Sequence, residues 1–458
     1  MQAHEALASL WQLAGLPGQA LKFAELTGAD PVLPSSFAVG TAAQSTIAAA
    51  ALAACELGHL RGTPRQRVSV DMMHAAVECT GWFSIDGVVP QVWDRFSGLY
   101  RCADGWVRVH TNFAHHRDGA LRLLGLDPAT ADRTQAETAM LAWNAIDFET
   151  AAATAGLVAT ALRNFEAWDA GAPGAAIALQ PLMTTERIGD APPMRLPQLS
   201  QVQRPLEGVK VLDLTRILAG PVGGKALAAY GADVMLVNSP HLPNIDAIAD
   251  TSRGKRSAHV DLAVPGGRDT MDDLLGEANV FIQGYRPGGL RSLGFGPEEV
   301  AARRPGIVYV SLTAWGNQGP WASRRGFDSL VQTAMGFNAA EGAAMGDGKP
   351  RALPMQILDE ATGYLIAMGV AAALHRQQRE GGSWHVQVSL AQTGHWIRGL
   401  GRIPNGKDGK RPDFAAFAEE SESGFGMLKA LKHSAILQRT PVRWLRRSVP
   451  PGTDAPAW

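Results

Sequence analysis

At 458 residues the chain is longer than one ordinary hydrophobic core organises, which sets an expectation of two or three domains. Hydrophobic residues make up 46% and charged residues 19%, a globular composition, and a formal net charge of −1 removes any global electrostatic case for nucleic acid or an anionic membrane. The cysteines, Cys55, Cys79 and Cys102, are too scattered for a zinc motif and suit a reducing compartment.

The N-terminal stretch MQAHEALASLWQLAG carries Glu5 and no basic n-region, so no secretory signal is expected. Residues 3–30 read as helical until Pro31 and Pro34 interrupt the pattern. Residues 41–58 form an alanine-rich helix, uncharged until Glu56; it is too short and too weakly hydrophobic for a membrane span, so a buried helix and a cytoplasmic protein are expected. After Gly62-Thr63-Pro64, residues 66–72 alternate like a strand. Residues 99–111 read as a hairpin about Asp104-Gly105. Helices are expected at 118–125, 135–144 and 147–170, and residues 171–206, with several prolines and glycines, read as the main linker.

The second half changes character. Buried strands are expected at 209–215, 232–238, 279–285 and 306–312, with helical segments between them. That alternation argues a parallel α/β sheet. At 355–390 an acidic pair, Asp359 and Glu360, opens a long helix that ends at Gly381-Gly382, and a β-patterned stretch follows. The last ~50 residues, broken by Pro and Gly, are expected to wrap the surface. Residues 41–72 and 359–390 also share a layout of small-residue helix, basic and glycine-containing turn, and strand. In that register Thr41 faces Asp359, so only the second unit carries the acid.

Asp359 stands at the positive end of a helix. It can be an N-cap contributing about 0.5–2 kcal/mol, or a carboxylate held ionised to attack an electrophile. Glu360 either raises the Asp359 pKa by like-charge repulsion or points to solvent. Gly220-Pro221-Val222-Gly223-Gly224 follows a strand and precedes a helix, where α/β sheets receive phosphates, or is simply a tight turn. Arg253, Lys255 and Arg256 form either a solvated basic loop or a phosphate site; Arg286, Arg324 and Arg325 add positive charge beyond two strand ends. His115-His116 has no carboxylate partners in the pattern, so no metal is expected. Hydrolase-elbow, zincin and paired-cysteine motifs do not occur.

The run VKVLDLTRILAGPVGGKALAAYGADVMLVN, then SRGKRSAHVDL, GYRPGGLRSLGFG, YVSLTAWGNQGPW, GFDSLVQTAMG and LDEATGYLIAMGVAAALHRQQREGG resembles the family III CoA-transferases. These blocks stand in family order across residues 206–395, and residues 1–200 resemble a later part of the same family's chain. The resemblance implies that Asp359 attacks an acyl-CoA thioester, that an aspartyl-acyl anhydride and then an aspartyl-CoA thioester form, and that an acceptor acid takes up the CoA. No permanent cofactor or metal is implied; coenzyme A and acyl-CoA enter as substrates, with a small carboxylic acid and a homodimer partner. The expected CoA contacts are Gly220, Pro221, Lys255, Tyr285, Arg286 and Arg325.

Several positions depart from the family pattern. Gly284-Tyr285 replaces an Asn-Phe pair, Ser292 stands for an arginine, and Asn238 for a glutamate. The related α-methylacyl-CoA racemases pair their aspartate with the histidine of a Gly-His-Asp motif; here that motif reads Gly326-Phe327-Asp328, and phenylalanine carries no proton. The reading is therefore an α/β protein with a mostly parallel, Rossmann-like sheet flanked by helices, plus a smaller α+β domain. Residues 1–200 are expected to be a truncated copy with the small domain at about 75–170, residues 201–206 a linker, 207–400 the large domain with the nucleophile, and 401–458 a surface extension. The function expected is CoA transfer between acids; the alternatives are an acyl-CoA racemase or isomerase and a catalytically silent CoA-binding subunit.

Overall fold

The computed structural model describes residues 1–458. A seven-stranded sheet organises the second half. Across it lie Arg256–His259, Asp233–Asn238, Lys210–Leu214, Val280–Gln283, Val308–Thr313, Ser383–Ser389 and Met183–Gly189. Neighbours are parallel except the last pair. The strands read as unbroken apolar runs because helices cover both faces, and alternation divides them between two cores. Val211, Val280, Ile282, Val308 and Val310 enter a core of 83 buried residues. Leu212, Leu214, Phe281 and Tyr309 enter a second core of 17. The fold is α/β, as expected. Its strand order reverses between Lys210–Leu214 and Val280–Gln283, and crevices beyond the carboxyl ends of strands at such a reversal receive ligands.

Three helices meet beneath that crevice. Ile357–Glu380, 24 residues long, packs against Val39–Leu60 and Ala219–Ala229. By length and composition it could cross a membrane, but 94% of its apolar window is buried inside this core. Small residues permit the close approach. A Cβ added to Gly363 would sit 2.7 Å from the Ala219 carbonyl oxygen and 2.7 Å from Val222 Cβ, and one on Gly223 would sit 2.9 Å from the Gly363 carbonyl oxygen.

The repeated layout has a counterpart in hydrogen bonding. Asp30 accepts from the backbone N–H groups of Gly40 at 3.1 Å and Thr41 at 2.9 Å, at the start of Val39–Leu60. Asp328 accepts from those of Leu358 at 2.8 Å and Asp359 at 3.0 Å, at the start of Ile357–Glu380. These are the same two positions in the register that sets Thr41 opposite Asp359.

A small domain stands over the crevice, built on Gly98–Arg101, Trp106–Val109 and Ala159–Ala161, with a core of its own around Tyr100, Val107 and Phe148. The hairpin turn is held by Asp104, which accepts from the Ala145 N–H at 2.8 Å. Four expectations need correction. The 3–30 helix stops at Ala14, where Gly15 adopts φ 65°, and Ala24–Thr27 is a strand paired with Val68–Asp71. The 147–170 helix is broken after Thr154; Gly156 turns at φ 69° and Ala159–Ala161 joins the hairpin. The 171–206 linker contains the helix Ala172–Ala178 and the strand Met183–Gly189, which closes the edge of the large sheet. The C-terminal extension does more than wrap: Ala418–Ser423 and Gly426–Leu431 extend Phe83–Ile85, and Ala435–Leu437 pairs with Val68–Asp71.

Gly363→Ala forces a methyl group against a helix backbone that has no room to move. The expected cost is about 1–3 kcal/mol of stability, measured as a lower urea midpoint at unchanged m-value. An unchanged midpoint would show that the helix spacing is not set at this glycine.

Candidate active site

Asp359 lies in the first turn of Ile357–Glu380, 8% exposed, on the wall of a cavity of about 720 Å³. It is not the N-cap. The cap position is Gln356, whose side chain makes no cap bond. Asp328 does that work from the neighbouring helix Asp328–Met335, accepting both N–H groups on one oxygen while the Gln332 amide donates to the other. The Asp359 carboxylate is thereby left unengaged by its own helix. The Ala219 N–H, at the start of Ala219–Ala229, lies near enough to favour its ionised form.

The expectation that the helix end holds Asp359 ionised is not met. Burial raises its pKa well above the ordinary carboxylate range, and the negative charges of Asp328 and then Glu360 raise it further, against the Ala219 N–H. Glu360 does not point to solvent. It is 3% exposed, and burial pushes its pKa up to about 8, opposed by Lys225. Burial pushes the pKa of Asp328 up to about 7, opposed by the Asp359 N–H, the Gln332 amide and the Leu358 N–H that donate to it. The raised pKa favours the protonated form of Asp359, whereas nucleophilic attack requires the carboxylate.

Ile217, on the cavity wall just before the Ala219 helix, adopts φ 76°. A β-branched residue in the left-handed region costs about 1–3 kcal/mol. The strain is stored in the turn that brings the Ala219 N–H near Asp359.

The opposite wall comes from the small domain and was missed by sequence reasoning. Arg108, His110, Asn112 and Phe113 line the same cavity as Asp359, with Trp93 beside them. The His110 ring stacks on Phe327 at 4.1 Å between centroids and 18° between planes. Its Nδ1 has no hydrogen-bond partner. Burial, Arg108 and His116 lower its pKa to about 3, which leaves it neutral. Arg108 is 9% exposed and lies 5.1 Å over the Trp93 ring.

The expected CoA contacts divide into two sets. Tyr285 and Arg286 follow Val280–Gln283 and so stand at the strand-order reversal. Arg286 and Arg325 line one cavity of about 320 Å³, together with Arg324. Arg325 is also close enough to lower the pKa of His116. Arg324 is drawn away to Glu149 at 3.2 Å. The other three expected contacts, Lys255, Gly220 and Pro221, are buried. Lys255 is 1% exposed, and its ammonium donates to Asp213 at 2.8 Å and to the Pro221 carbonyl at 2.8 Å. No phosphate reaches it. Gly220 and Pro221 lie buried inside the first turn of Ala219–Ala229 and form no open loop; a Cβ on Gly220 would meet the Thr215 side chain at 2.3 Å. These three residues brace the floor of the site.

Residues 206–400 match the family model of CoA-transferase family III. The probable fatty acyl-CoA transferase Rv3272 of Mycobacterium tuberculosis is 36% identical over 205 residues, 42% of this chain and 52% of the relative. An acyl-CoA transferase of Gibberella moniliformis is 30% identical over 378 residues, 73% of this chain and 66% of the relative. A crystal structure of the mycobacterial protein is 34% identical, covers 43% of this chain and 57% of that one, and gives a TM-score of 0.38. The chain spans about half the length of the mycobacterial relative. Residues 206–458 are little more than half of this chain, so the Gibberella match also runs into the first 205 residues.

Glu360→Gln tests the buried acid cluster through stability. Unfolding lets Glu360 ionise above about pH 4.5, whereas in the folded protein it keeps its proton up to about pH 8. The unfolded state therefore binds fewer protons across that window, and the wild type loses stability as pH rises through it. The Gln variant lacks this loss. Its advantage in urea unfolding is expected to grow from pH 5 to pH 8; a constant difference would contradict the shift.

Proposed function

We propose that this protein transfers coenzyme A from an acyl-CoA thioester to a carboxylic acid, with Asp359 as covalent nucleophile. The observation that carries the reading is Asp359 itself: an acid on a cavity wall, relieved of capping by Asp328, with a backbone N–H near it. The ionised carboxylate attacks the thioester carbonyl, the C–S bond breaks, and the CoA thiolate leaves a mixed anhydride. The thiolate then attacks the aspartyl carbonyl, releasing the donor acid and forming an aspartyl-CoA thioester. The acceptor carboxylate attacks that carbonyl, and the displaced thiolate attacks the new acyl carbonyl, which frees Asp359. Thioester energy is kept throughout, so no ATP is needed. The Ala219 N–H supports the oxyanion on the aspartyl carbon. Arg286 and Arg325 suit the phosphate end of CoA, and the small-domain wall shields the anhydride from water.

A second reading is favoured by one contact. His110 stacks on Phe327, at the motif position that holds the histidine in the racemases, and shares the cavity with Asp359. A neutral imidazole and a protonated acid together could exchange an α proton. Incubating acyl-CoAs in deuterated water without an acceptor acid separates the two. Deuterium at the α carbon would favour isomerisation; none is expected here.

For the transferase reading, wild type and Asp359→Asn are incubated with a panel of acyl-CoAs and trapped with hydroxylamine or borohydride. Intact-protein mass is expected to show an adduct on the wild type alone, mapped to residue 359. The absence of any adduct while CoA still binds would overturn covalent transfer.

A further inference from the structure

We propose that Arg108 is the carboxylate receptor of this site: it holds the acid that gives up or takes up coenzyme A, in its ionised form, beside Asp359. The inference rests on the transfer reading above.

Arg108 is nine-tenths buried and makes no ion pair, although Asp328 is near enough to favour its charged form. Its Nε has no hydrogen-bond partner. Trp93 holds its plane from one side, and it lines the cavity that contains Asp359. Other buried cations of the chain are differently placed. Lys255 pairs with Asp213, Lys225 with Asp250, and Arg253 with the same Asp250. Arg61 donates to the three carbonyls of Pro197, Pro205 and Glu207. A buried guanidinium left without an acceptor is costly, and a site completed by an anionic ligand removes that cost when the ligand binds.

The chemistry calls for one fixed cation at this place. Each stage of the transfer carries one mobile negative charge: the Asp359 carboxylate, the CoA thiolate, the departing acid, then the arriving acid. Both acids enter a cavity lined by Asp94, Asp246 and Asp359, where a counter-charge offsets the repulsion. A guanidinium matches a carboxylate with two parallel N–H donors. The flanking lining is largely apolar, with Phe83, Val92, Ile245, Leu353 and Met355 around it. It therefore suits a short apolar acid tail.

The test uses the full chain with Arg108→Gln, Arg108→Lys and Arg108→Ala. Steady-state transfer is measured against a panel of mono- and dicarboxylates of two to five carbons, and adduct formation on Asp359 is measured from acyl-CoA alone. The acid KM is expected to rise roughly ten- to a hundred-fold in the Gln variant, less in the Lys variant, with the acyl-CoA KM changed little. Added guanidinium ion should restore part of the Ala variant's activity. A wild-type acid KM in Arg108→Gln, or equal rises for acid and acyl-CoA without rescue, would overturn the proposal. If the wild type forms no adduct and shows no turnover, the transfer reading fails on its own account. Calorimetric titration with the same acids then decides Arg108: binding lost in the Gln variant supports the receptor, and no binding to the wild type overturns it.

Discussion

Two hydrogen bonds from one helix start to the Asp328 carboxylate fix the geometry of the rest of the site. They satisfy donors that a helix end otherwise leaves open, and such bonds are worth about 0.5–1.5 kcal/mol each, more where the acceptor is charged. Their consequence for chemistry is twofold. Asp359 keeps its oxygens for the cavity, and it feels a second negative charge that holds its proton on until a ligand changes the balance. The Asp213–Lys255 pair beneath, with Pro221 on the same ammonium, keeps the Ala219 helix pressed against the Ile357–Glu380 helix. Site and scaffold are thus joined by buried charge.

Much of the large domain was legible in the sequence, for a physical reason. Strands buried on both faces spell continuous apolar runs, and VKVLDL and IVYVSL cannot be read otherwise. Short strands were not legible. Ala159–Ala161 and Arg256–His259 have only three and four residues, and their partners decide them. Lys255 sits among basic neighbours in sequence, but its burial is a tertiary fact. Arg108 and His110 alternate with Val107 and Val109, which reads as a solvent-facing side of a hairpin. That side instead meets Trp93 and Phe327. Asp328 stood in plain view in the Gly326-Phe327-Asp328 motif, where Phe327 drew the attention and the capping role of its neighbour was invisible.

The two repeated units share a frame and differ in one reactive group. Asp30 and Asp328 receive equivalent pairs of N–H groups. In the first unit the Thr41 hydroxyl also donates to Asp30 at 2.8 Å. In the second, Asp359 takes that position, and its side chain makes no bond to Asp328 but lines the cavity. A single side chain thus separates a structural helix start from a chemical one.

The pairing of Val68–Asp71 and Phe83–Ile85 with Ala435–Leu437 and Gly426–Leu431 has a consequence for synthesis. A ribosome adds about 5–20 residues per second, so these early strands wait on the order of tens of seconds for their partners to leave the tunnel. Until then their open backbone edges invite pairing with a neighbouring nascent chain. Residues 426–437 therefore act as a latch on residues 68–85, and translation that stops short of Gly426 leaves both early strands with an open edge.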